Sequence, residues 1–170
     1  MAKSADSVVP KTGFIPKELF DKIQKTMPIP CVDLVILRRG KIGIKVLLIK
    51  RKLETEYGKW CIVGGRVLKG EKLAETIERQ AKRELGVSVS IISPWGPNNP
   101  VRVFDEPEGD PQKHAVIMVY PVTIVAGEPA ASGPEFNESK WFPADGLPEI
   151  MGFLHKQEAE AAIQAVTGRL

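Results

Sequence analysis

The sequence predicts an α/β fold, a mixed sheet with helices packed on it in a single domain. Three observations carry this. The chain has 170 residues, about the length of one domain. Short apolar, strand-like runs alternate along it with stretches of helical period, as expected of mixed layers around one core. Its composition, 43% hydrophobic and 26% charged, is that of a soluble globular protein and unlike that of collagen-like, disordered or membrane-spanning chains.

Taken in order, residues 1–13 are polar and without period, and read as a flexible lead-in to a domain over residues 14–170. Residues 16–25 are amphipathic, a short helix broken by Pro28 and Pro30. Apolar runs at 31–37 and 44–49, joined by the basic turn Arg38-Arg39-Gly40-Lys41, read as a β-hairpin. Residues 60–63 read as a strand leading through Gly64-Gly65 to a helix over about residues 72–85, which Gly86 stops in the left-handed conformation. Strand-like runs recur at 87–92, 101–104, 114–125 and 139–142, with an acidic, proline-containing loop at 105–111 between the second and third. Residues 156–167 set Ala159, Ala162, Ile163 and Val166 at helical spacing, a helix laid on the sheet.

The 24 Lys and Arg against 21 Asp and Glu leave a net charge of +3, too small to argue for a nucleic-acid surface. The longest apolar run, residues 115–121, is far short of the ~20 residues that span a bilayer. The start, MAKSADSVVPKTG, lacks the apolar segment of a secretory signal. No nucleic-acid or membrane partner is therefore expected, and the expected location is cytoplasmic. Cys31 and Cys61 are flanked by apolar residues and lack metal-type spacing, so both read as reduced core side chains.

The helix over 72–85 breaks its own pattern. At about 100° per residue, Leu73, Ile77, Ala81 and Leu85 form one apolar stripe, and Glu84 falls inside it, roughly 20° from Ile77, with Gln80 roughly 40° further along. A carboxylate is thus aimed inward, in a last turn whose dipole disfavours negative charge. Unless that turn frays into solvent, Glu84 needs a cation, either a metal ion or an arginine. Just upstream, Gly64-Gly65 allows backbone to approach a ligand closely, and Arg51 and Arg66 could flank the same mouth. Together these residues suggest a phosphate and metal site.

The segment GGRVLKGEKLAETIERQAKRELGV, residues 64–87, resembles the Nudix box, G-x5-E-x7-R-E-U-x-E-E-x-G-U with U apolar. Gly65, Glu71, Arg79, Glu84, Gly86 and Val87 fall in register. Gln80 and Arg83 stand where the pattern has glutamates, and Val63 replaces the usual proline. The reduced box is similar to that of the GDP-mannose mannosyl hydrolase branch, as is the lead-in FIPKELFDKIQKTMPIPCVDLVI, residues 14–36.

The resemblance implies an α/β/α sandwich with a mixed sheet between helices. It also implies a hydrolase of nucleoside diphosphate sugars that requires Mg2+, or Mn2+ in its place, and that releases GDP and free sugar. It places Asp33, Arg51 and Arg66 on the substrate, and makes the Gly64 carbonyl and Glu84 metal ligands. His114 matches a histidine at the start of a later strand. Counting back from Lys140-Trp141, Glu135 and Phe136 occupy the places of the branch's Gln-His pair, so the usual base is missing. Glu135 remains as ligand or base, followed as candidate bases by His114 and Glu106. A carboxylate count below the family pattern implies fewer bound ions. The N-terminal segment resembles one that packs between subunits, which implies a homodimer. Two other functions stay open: cleavage of the pyrophosphate bond itself, and nucleotide-sugar binding without turnover.

Overall fold

A computed structural model describes residues 15–168, so the lead-in expected over residues 1–13 lies outside the described residues. In chain order the elements are α1 (Lys17–Gln24), β1 (Ile29–Arg39), β2 (Ile44–Arg51), β3 (Trp60–Cys61), β4 (Val63–Arg66), α2 (Leu73–Leu85), β5 (Ser88–Ile91), β6 (Arg102–Phe104), β7 (Ala115–Ala126), β8 (Phe136–Pro143) and α3 (His155–Thr167). No helix among the described residues is long and apolar enough to cross a membrane.

The strands form one sheet in the order β3-β2-β1-β7-β5, with β4 paired to β1, β6 to β7 and β8 to β2. The sheet is mixed because β1 and β7 run parallel, from Ile29 opposite Ala115 to Ile36 opposite Val122. The other pairings are antiparallel. β1 is long enough to hold two partners on its second edge: Cys31–Leu34 face β4 and Leu37–Arg39 face β2.

Both faces of β1 are covered, and its residues divide by parity as the pleat requires. Val32, Leu34 and Ile36 pack with Ile77, Ala81 and Leu85 of α2. Cys31, Val35 and Leu37 pack with Ala159 and Ala162 of α3. The α/β/α layering follows. Asp33 lies on the α3 side of this alternation, in a place where the pattern otherwise has an apolar residue.

The helix expected over 72–85 forms from Leu73, with the Glu75 carboxylate accepting the Lys72 backbone N–H at 2.7 Å. The strand expected over 60–63 is instead two strands, β3 on β2 and β4 on β1. Between them, the Ile62 N–H donates to Nδ1 of His155 at 3.2 Å. α2 ends at Gly86, with φ 73° and open space where a Cβ would point. Gly86→Ala therefore tests backbone conformation without a clash. It should cost about 1–2 kcal/mol and lower Tm by roughly 2–4 °C per kcal/mol in scanning calorimetry.

Candidate active site

Glycine makes the site possible at two positions. A Cβ on Gly64 would lie 1.7 Å from Oδ1 of Asp33, and one on Gly65 would lie 2.1 Å from Nε2 of Gln80. β4 can therefore press against β1 and α2 only with bare backbone. After β4 the chain turns into α2 through a loop held by Glu71. Its carboxylate accepts Arg79 Nε at 2.5 Å, Arg79 Nη2 at 2.8 Å, the Thr76 hydroxyl at 2.7 Å and the Leu68 N–H at 3.1 Å. Arg79 and these donors, opposed by partial burial, bring the Glu71 carboxyl down to about 2. Arg79 also donates to the Arg66 carbonyl at 3.0 Å, so the brace reaches the end of β4.

These elements enclose a cleft of about 350 Å³ lined by Asp33, Arg51, Gly64, Arg66, Glu84 and Glu135, among others. The expected inward carboxylate is there, with Glu84 only 4% exposed. Burial first, then the nearby Glu135 carboxylate, push its pKa up, while Arg83 and Arg51 pull it down. One of its oxygens lies 3.4 Å from Arg83 Nε, and the other is buried without a hydrogen-bond partner among the described residues. Glu135 sits between two guanidiniums, 2.9 Å from Arg83 Nη2 and 3.5 Å from Arg51 Nη1. Arg51 also donates to the Thr55 carbonyl at 2.7 Å, and the Arg66 guanidinium lies 4.0 Å from the centre of the Phe20 ring.

Other expectations fall outside the cleft. His114 and Glu106 are not among its lining residues. The His114 ring instead lies 3.2 Å from the Asp105 carbonyl, just ahead of β7. Phe136 is fully buried among the apolar residues on the α2 side of the sheet, so that position has become core. Cys31 and Cys61 are buried free thiols. Burial and Asp33 push the Cys31 thiol up to about 12, which removes it as a nucleophile at neutral pH.

The structure also brings in two residues that the sequence reading passed over. His155 and Glu158 of α3 meet Asp33, with potential ligand atoms of all three within 4.8 Å of one another. Burial disfavours a charged His155, but Asp33 and other neighbours outweigh it and hold the pKa well above the ordinary imidazole value. The Ile62 N–H points at Nδ1, which leaves Nε2 as the ring nitrogen facing Oδ2 of Asp33 at 3.4 Å. The three side chains form one buried cluster, in which His155 pairs with Asp33 and Glu158 lies beside them. Glu158 is fully buried, and neither of its oxygens has a hydrogen-bond partner among the described residues. Burial, then the charge of Asp33, raise its pKa to about 9. The sequence signal was the stripe His155, Glu158, Ala159, Ala162 at i, i+3, i+4 and i+7, all four of them buried.

The NUDIX domain family model matches residues 27–163. The chain is 34% identical over 124 residues to the low-salt glycan biosynthesis protein Agl8 of Haloferax volcanii, covering 73% of this chain and 77% of that protein. It is 32% identical over 123 residues to an ADP-ribose pyrophosphatase of Methanocaldococcus jannaschii, covering 72% and 66% respectively. Among solved structures, the NUDIX domain of Shewanella oneidensis NrtR complexed with ADP ribose superposes with a TM-score of 0.68 at 21% identity, over 83% of this chain and 90% of that one. A MutT NUDIX hydrolase from Burkholderia pseudomallei superposes with a TM-score of 0.67 at 27% identity, over 79% and 98%.

Because Glu158 holds its proton in the fold far above the ordinary carboxylate range, its contribution to stability is complete below about pH 4.5 and is lost as pH rises toward 9. Glu158→Gln, uncharged throughout, should gain stability relative to the parent protein as pH is raised from 5 to 9. Urea unfolding at a series of pH values measures this, and a constant difference would contradict it.

Proposed function

The chain belongs to the Nudix family, and on that premise we propose that it is a metal-dependent hydrolase of nucleoside diphosphate sugars, with GDP-mannose as the first substrate to test. The observation that carries this reading is the meeting, in one cleft, of Arg51 and Arg66 with a buried Glu84 oxygen that has no hydrogen-bond partner. Guanidiniums suit a diphosphate, which they can grip at two points without losing charge. A buried, unpartnered carboxylate oxygen suits a divalent cation.

Members of the family generally need a divalent metal ion. In this reading the ion is Mg2+, with Mn2+ as a substitute, and the Gly64 carbonyl, Glu84 and Glu135 would hold it. When bound, it supplies charge neutralisation at the diphosphate. Arg51 adds positive charge beside the leaving phosphate, Arg66 orients the diphosphate, and Asp33 accepts a hydrogen bond from the substrate. Glu135 is either the further ligand or the base that takes a proton from water. His114, the second candidate base, would have to leave the Asp105 carbonyl to serve. The same reading carries a homodimer through α1, none of whose residues is buried.

Water attacking the anomeric carbon would release GDP and free sugar, as the resemblance implies. A specific observation keeps attack at phosphorus as the second reading: Phe136, where the branch has its base, is wholly buried. The similarity to an ADP-ribose pyrophosphatase points the same way, while the similarity to a glycan biosynthesis protein supports a sugar nucleotide.

Incubation with GDP-mannose, GDP-glucose or ADP-ribose and Mg2+ in 18O-labelled water separates these outcomes. Label in free sugar is expected, label in a monophosphate would establish the second reading, and absence of any product would leave a binding protein. Glu84→Gln should lower kcat on the order of 100-fold or more, with the fold intact by circular dichroism.

A further inference from the structure

Two guanidiniums and two carboxylates meet on one side of the cleft. Arg83 faces Glu84 at 3.4 Å and Glu135 at 2.9 Å, and Arg51 closes on Glu135 at 3.5 Å. Their formal charges cancel. Without Arg83, two carboxylates would face each other across the space it fills, an arrangement that ordinarily gathers a cation. Arg83 stands at a position where the motif has a glutamate, so one residue both removes an anionic ligand and adds a fixed cation.

We propose that the Arg83 guanidinium takes the place of a second divalent ion, tying Glu84 to Glu135 and leaving the site room for one ion, on the free Glu84 oxygen. This rests on the metal-dependent reading above and deepens it. A guanidinium satisfies two carboxylates through directed N–H donors and does not dissociate. The geometry therefore stays assembled before any ion arrives. Glu84 divides its two oxygens accordingly: one toward Arg83, the other buried and without a partner. Arg83 is a positioning residue, acting through the two carboxylates it holds.

The test counts Mn2+ ions bound per chain, by titration followed through the electron paramagnetic resonance signal of free Mn2+. The parent protein is expected to bind one ion. Arg83→Glu leaves one guanidinium against three carboxylates and is expected to bind two. Arg83→Lys keeps the charge and should remain at one. Should Arg83→Glu fail to fold, Arg83→Gln is expected to bind its first ion at least tenfold more tightly than the parent. An unchanged count in folded Arg83→Glu, an unchanged affinity in Arg83→Gln, or a count of zero or two in the parent overturns the proposal. One ion in both the parent and Arg83→Glu, with metal-dependent turnover, overturns the role of Arg83 and leaves the hydrolase reading standing. One ion in the parent and two in Arg83→Glu, with no turnover of any sugar nucleotide, overturns the hydrolase reading alone.

Discussion

The ion pair between Arg79 and Glu71 is the interaction on which the rest of the cleft depends. A surface ion pair contributes little to stability, but this one is two-pronged and only partly exposed, and its carboxylate takes two further donors. It ties the last residue of the turn over residues 68–71 to the middle of α2, and through the Arg66 carbonyl to the end of β4. Arg66, Gly64 and Glu84 therefore share one frame. Loosening the pair would let the loop between strand and helix move, and with it the spacing between the guanidinium and the inward carboxylate.

A second constraint acts from the opposite face of the sheet. Asp33 interrupts the apolar face that β1 turns toward α3, and a buried carboxylate without donors would be costly. The fold answers with His155, oriented by a backbone N–H in the gap between β3 and β4. The break in the strand and the placement of the acid thus meet at one histidine. Asp33 reaches the cleft as a held acceptor, beside the bare backbone of Gly64.

Charge in the cleft is unusual for its motif. The places of two acids are taken by Gln80, whose amide packs beneath Gly65, and by Arg83, which bridges the Glu84 and Glu135 carboxylates. The position of the branch's base has joined the core as Phe136. Anionic groups were exchanged for neutral or cationic ones without opening the cleft, because each replacement finds a partner in the existing frame.

Much of this was legible in the sequence, and the remainder was not, for a common reason. Helix and strand identities follow from short-range periods and end signals, so α2 with its Gly86 stop, the long β7 and the inward aim of Glu84 could all be read locally. The glycine pair marked a close approach. The strand expected over 60–63 divides in two where the chain changes partner from β2 to β1, and a histidine more than ninety residues later takes the Ile62 N–H between them, which no local pattern carries. Arg51 and Glu135, 84 residues apart, meet because β8 pairs with β2. His114 lies against the Asp105 carbonyl of the preceding loop and does not line the cleft. By itself the sequence determined most of the elements, the apolar face of α2 and the inward aim of Glu84, which calls for a cation. Only the tertiary structure decided which side chains answer that need and hold Asp33, because those partners come from strand order and layer packing, which join residues distant along the chain.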